Sequence, residues 1–106
     1  MDESFMTKLV ALRKELDQHM KILSGYRHVA YNDVLGGNRD SPHLQGKAVD
    51  IRCHGKKAYN IIRLATEHGF TGIGVSQRGS HDSRFLHIDT MDSSNVHPRP
   101  WIWSYK

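Results

Sequence analysis

Residues 41–51 read Ser41-Pro42-His43-Leu44-Gln45-Gly46-Lys47-Ala48-Val49-Asp50-Ile51, and a second stretch, Phe85-Leu86-His87-Ile88-Asp89-Thr90, answers it downstream. These two segments constrain the fold most, because donors so far apart along the chain are useful only if they converge. Zinc takes imidazole nitrogen and carboxylate oxygen, and a catalytic zinc keeps three protein ligands and one open position. His43, Asp50 and His87 meet that count and read as the ligands of one zinc ion. Gly46 lets the backbone turn sharply after His43. From Lys47 onward, strand alternation puts Ala48 and Asp50 on one face and Lys47, Val49 and Ile51 on the other. In the second stretch Phe85, His87 and Asp89 share a face opposite Leu86 and Ile88. If the two strands are neighbours, Asp50 and His87 meet across them.

A chain of 106 residues points to one domain, 1–106, able to bury a modest core without disulfide staples. No apolar run approaches the ~20 residues of a membrane span. The acidic start Met1-Asp2-Glu3-Ser4 does not resemble a signal peptide. The expectation is a monomer with no membrane partner, cytoplasmic until released. The single cysteine, Cys53, excludes an internal disulfide; at the end of an apolar run it reads as a small buried hydrophobe rather than a fourth ligand or a nucleophile. The net charge of +4 comes from scattered basic residues with no stripe or nucleic-acid motif. That argues against a nucleic-acid partner and is compatible with a polyanionic substrate.

Phe5, Leu9, Leu12 and Leu16 recur on one face of a helix that Ser4 can cap and that ends near Gln18 or His19. Met20–Ser24 is a candidate strand and Gly25-Tyr26-Arg27 a turn. His28–Leu35 reads as a short helix stopped by Gly36-Gly37, and 38–42 as a polar loop delivering His43. After the first ligand strand, Lys56–His68 forms a second helix with Ala58, Ile61, Ile62 and Ala65 inward, terminated by Gly69. Phe70–Ser76 and Arg84–Thr90 are strands, joined by the polar loop 77–83. The aromatic end, Pro98–Tyr105, is expected to pack back on the sheet with Trp101 or Trp103 capping the core. The fold class is α+β, with a small antiparallel sheet at the site.

The pattern Ser-x-His-x-x-Gly-x-Ala-x-Asp at 41–50, followed by apolar-x-His-x-Asp at 86–89, resembles the zinc D-alanyl-D-alanine carboxypeptidase family. That family shares its fold with the hedgehog signalling domain and with phage L-alanyl-D-glutamate peptidases. Ser24-Gly25-Tyr26-Arg27, Tyr31-Asn32 with Gly36-Gly37, and Gly72-Ile73-Gly74-Val75 are similar to further family segments, so the resemblance runs from about residue 9 to 103. It implies a zinc site carried by the small sheet and flanked by the two main helices. It also implies His43, Asp50 and His87 as ligands, and hydrolysis of peptide bonds near D-amino acids in peptidoglycan stem peptides. Arg27 would neutralise a substrate carboxylate or steady the oxyanion at the rim, and Ser41 would support the ligand loop and substrate. A protein cytoplasmic until released, or one encoded by a phage and acting on the cell wall, would both fit, with lysis, wall remodelling and phage entry all open as roles.

The chain departs from the family at one place. Many members carry an acid or histidine a few residues before the last ligand as general base, and here those positions hold Arg84 and Phe85. His81 and Asp82, in the preceding loop, are the first candidates to replace it. Asp89 is the second, or it orients His87 instead. In the implied reaction zinc lowers the pKa of water to about 7 and polarises the carbonyl, while a base passes the proton to the leaving amine. The missing acid also motivates an alternative, a non-catalytic zinc module that binds the cell wall or serves as a phage structural part.

Overall fold

A computed structural model describes residues 2–24 and 46–105. The expected turn at 25–27, the helix at 28–35 and the loop at 38–42 lie outside the described residues. The described elements are helix α1 (Glu3–Leu16), strands β1 (Lys21–Ser24) and β2 (Ala48–Arg52), helix α2 (Gly55–Glu67), strand β3 (Gly72–Ser76), a 3₁₀ turn (His81–Ser83), and strands β4 (Phe85–Asp89) and β5 (Trp101–Ser104). The architecture is α+β, as the sequence indicates.

α1 buries Phe5, Leu9, Leu12 and Leu16, the stripe expected from the sequence. Its cap is Asp2 rather than Ser4: Asp2 has extended backbone and accepts from the Phe5 N–H at 2.8 Å, which leaves Ser4 inside the first turn. It ends earlier than expected, because Asp17 takes the left-handed conformation at φ 54° and donates its N–H to Arg13 O. Aspartate tolerates that region better than most side chains. α2 buries Ala58, Ile61, Leu64 and Ala65. Leu64 joins the stripe where the sequence suggested Ile62, which is only partly buried against the core. Gly69, at φ 84°, provides the expected left-handed stop.

Both helices contribute to one hydrophobic core with Val49, Ile51, Ile73, Leu86 and Ile88 of the sheet. Phe5 meets Phe70 edge-on with centroids 5.8 Å apart. The five strands run in the order β1-β2-β4-β3-β5. The pairs β1/β2, β2/β4 and β4/β3 are antiparallel, but β5 joins β3 in parallel, so the sheet is mixed rather than the purely antiparallel one expected. The fifth strand corrects the expected packing of the aromatic end. Trp101 N–H donates to Thr71 O and Tyr105 N–H to Val75 O, so Trp-Ile-Trp satisfies its backbone as a strand. Trp101 is 55% exposed, and neither tryptophan belongs to the core cluster.

Because the residues of a strand alternate, filling one face of β2 and β4 with Val49, Ile51, Leu86 and Ile88 sends Asp50, His87 and Asp89 to the other. The helices therefore anchor the sheet from behind, and the polar residues collect on the far side.

Candidate metal centre

On that far side the strand registers form rows. One row is Asp50 on β2, His87 on β4, Gly74 on β3 and Trp103 on β5; the next is Ala48, Asp89, Gly72 and Trp101. Asp50 and His87 are direct cross-strand partners, the meeting the alternation required. The two glycines keep the face clear. A Cβ at Gly72 would sit 2.5 Å from Arg99 Nε and press on both Asp89 oxygens, and one at Gly74 would sit 2.7 Å from the Trp103 ring and 2.8 Å from Tyr105. Real Cβ atoms do not approach that closely, so the Gly-x-Gly strand is what admits Arg99 and Trp103 over the site.

His87 is held at both nitrogens. Nε2 lies 2.7 Å from Asp89 Oδ2, and Nδ1 lies 3.2 Å from Asp50 Oδ1. Asp89 is fully buried and receives four hydrogen bonds. Arg99 donates Nε to Oδ1 at 2.9 Å and Nη2 to Oδ2 at 2.7 Å, and the Met91 N–H reaches Oδ1 at 3.2 Å; His87 Nε2 is the fourth. Burial alone would raise the Asp89 carboxyl, but the hydrogen bonds from His87 and Arg99 outweigh it and hold the group at about 2. Burial likewise opposes charge on His87, yet the Asp50 and Asp89 carboxylates outweigh it and raise the ring above its ordinary value.

These contacts fix the tautomer. An ionised carboxylate only accepts, so the short contact to Asp89 requires an N–H on Nε2. In the neutral ring, Nδ1 then carries the lone pair and faces another carboxylate oxygen. Two acceptors 3.2 Å apart repel unless a cation lies between or beside them. A proton meets that need in the isolated chain, and a divalent metal meets it equally. A histidine whose second nitrogen donates to a carboxylate is the usual support of a metal ligand. Asp50 and His87 thus fit a metal by their donor chemistry. Asp50 remains 19% exposed at its side chain while His87 is only 4% exposed, so the carboxylate side of the pair is the open one.

An aromatic wall closes the other side. The Trp103 ring lies 5.0 Å from the His87 ring, and the Arg99 guanidinium sits 5.2 Å from the Trp103 centroid as a cation–π contact. Tyr105 packs on Phe85 at 5.1 Å, and burial pushes its phenol up.

The remaining sequence candidates fall as follows. His43, Ser41 and Arg27 lie outside the described residues. Among the described residues, no three His, Cys, Asp or Glu side chains gather as a metal cage. His81 and Asp82 form the exposed 3₁₀ turn ahead of β4, where His81 stacks on His54 with centroids 4.0 Å apart. Arg84 donates Nε to Gly79 O. Cys53 is buried in the core with its thiol toward Ile51 O, and burial pushes it up to about 11, as befits a packing residue rather than a nucleophile. Arg99 was missed. A buried aspartate two positions after a candidate ligand histidine needs a counter-charge, and the arginine held between Pro98 and Pro100 was the available signal.

A carboxylate and a carboxylate-supported imidazole, paired across strands on a sheet face cleared by glycine, are donors of the kind metal-dependent hydrolases use. A model of the peptidase M15 family matches residues 2–89, and the chain belongs to that family. Over 79 residues it is 33% identical to the zinc D-Ala-D-Ala carboxypeptidase of Streptomyces albus G, a match covering 73% of this chain and 31% of that protein. The chain therefore spans about a third of the length of the curated relative it matches.

Proposed function

We propose that this protein is a zinc-dependent peptidase that hydrolyses peptide bonds in bacterial peptidoglycan stem peptides. The observation carrying the proposal is the Asp50–His87 pair, with Asp89 fixing His87 so that Nδ1 faces the Asp50 carboxylate at 3.2 Å. His43, from the segment before β2, is the third ligand. The name of the Streptomyces relative supports zinc as the metal and a D-alanyl-D-alanine terminus as the substrate.

Zinc, when bound, supplies Lewis acidity to the scissile carbonyl and brings the pKa of a bound water to about 7. The chain's own residues do the rest. Asp89 holds His87 in the ligand tautomer, and Arg99 keeps Asp89 ionised. Trp103 screens the pair from bulk water. Asp89 already accepts four hydrogen bonds, which fills a carboxylate's lone-pair sites; its role is to position His87. Proton transfer then falls to His81 or Asp82 in the loop before β4. Arg27 steadies the oxyanion or a substrate carboxylate, and Ser41 supports the loop that carries His43.

The test is hydrolysis. Zinc-loaded protein is incubated with peptidoglycan and with a D-alanyl-D-alanine peptide, and new free amines are counted; release is expected, with loss in His87→Ala and Asp50→Ala. One observation favours a second reading, a zinc-binding wall module without catalysis: the positions before His87 are occupied by Arg84, bonded to Gly79, and by Phe85, packed on Tyr105. Folded, zinc-loaded protein that releases no amine under any condition would establish that reading instead.

A further inference from the structure

Arg52 closes β2 two positions after Asp50, so the two side chains leave the sheet on the same side. Its row is Lys21 on β1, Arg52 on β2, Phe85 on β4 and Ser76 on β3, one step along from the row that holds Asp50 and His87. The residue is half-buried, and its Nε is shut off from solvent with no hydrogen-bond partner among the described residues. The contrast with Arg99 is instructive. Arg99 forks onto Asp89 and is fully accounted for. Among the described residues Arg52 has no such carboxylate, and its cross-strand neighbour on β1 is another cation, Lys21.

A guanidinium keeps its charge at any pH the protein meets and presents a planar fork matched to a carboxylate. A water-excluded N–H on a permanent cation with no acceptor is costly. A ligand cannot reach an Nε that water does not, so the part of this cation open to a ligand anion is its Nη edge, which is not shut off in the same way and meets no carboxylate among the described residues. Alternate strand positions lie about 7 Å apart, and one extended residue spans about 3.5 Å. A carboxylate one or two residues past a bond held at Asp50 and His87 therefore comes within reach of the Arg52 fork.

We propose that Arg52 binds the free C-terminal carboxylate of the peptide substrate and so selects chain ends over internal bonds. This rests on the peptidase reading given above and deepens it. An internal peptide offers no anion at that position and leaves the fork unpaired. The sequence assigned carboxylate neutralisation to Arg27 alone; Arg52 adds a second cation from the strand that carries Asp50.

The experiment compares zinc-loaded wild type with Arg52→Met and Arg52→Lys on N-acetyl-D-alanyl-D-alanine and on its C-terminal amide. Calorimetry follows binding of the phosphinate isosteres of the same pair, acid and amide. Wild type should favour the acid about 10- to 100-fold in kcat/KM and in phosphinate affinity, the range expected of charge-assisted hydrogen bonds. Arg52→Met should lose that preference by weakening on the acid alone, and Arg52→Lys should keep part of it. Thermal unfolding and zinc content establish that each variant is folded and loaded. A wild type indifferent to amidation overturns the proposal. So does an Arg52→Met variant that keeps the preference or falls equally on acid and amide. If wild type hydrolyses neither peptide yet binds the acid phosphinate with an Arg52-dependent preference, the peptidase reading fails and the carboxylate site stands.

Discussion

Replacing Arg99 by methionine removes both prongs of the fork on a fully buried carboxylate. Methionine retains much of the aliphatic volume, so the change is chiefly electrostatic. Breaking one side of a buried ion pair typically costs about 3–5 kcal/mol. With 106 residues and an unfolding entropy of about 2.1 cal/mol/K per residue, each kcal/mol shifts Tm by about 4–5 °C. The expected loss is then about 13–23 °C. A pH signature accompanies it in metal-free protein. Asp89 sits at about 2 in the fold against an ordinary 3.8, so it contributes stability above pH 4 that is lost as pH falls toward 2. That contribution is about 2–3 kcal/mol, and in Arg99→Met this acid limb flattens. Zinc affinity should fall about 10- to 100-fold, because the support of His87 is weakened. Differential scanning calorimetry between pH 2.5 and 7 and zinc titration read all three. A Tm within 3 °C of wild type, with unchanged zinc affinity, would refute the role given to the Arg99–Asp89–His87 chain.

Gly74→Ala drives a methyl into the Trp103 and Tyr105 rings, so it should destabilise by about 1–3 kcal/mol and shift the tryptophan emission as Trp103 moves off His87. Asp2→Ala should cost about 1 kcal/mol through the lost cap, while Ser4→Ala stays within about 0.5 kcal/mol; urea unfolding separates them. Cys53, buried and raised to about 11, should react with a thiol reagent at pH 8 at least about 100-fold more slowly in folded than in unfolded protein, since only the thiolate attacks.

The pairing of Asp50 with His87 was legible because strand alternation leaves no choice of face once Val49, Ile51, Leu86 and Ile88 are assigned to the core. The two helices were legible from their leucine and isoleucine stripes. Their ends were less so: Ser4 and Asp2 are both good caps, and only the backbone approach to the first turn decides between them. β5 was misread because a short aromatic run between prolines can bury its rings or pair its backbone, and sequence alone does not say which need is met. Arg99 escaped for a related reason. Its partner lies ten positions away across a loop, and no periodicity links them. The burial of Asp89, which makes a counter-charge necessary, becomes visible only once the sheet is assembled.

The central claim is that Asp50 and the Nδ1 nitrogen of His87 share one divalent ion. Crystals of zinc-loaded protein, measured on both sides of the zinc absorption edge, test it directly. The account predicts an anomalous peak about 2.0–2.2 Å from His87 Nδ1 and from an Asp50 oxygen, with His43 as the third protein donor. Zinc bound elsewhere, or stoichiometric zinc absent from well-folded protein, would contradict it.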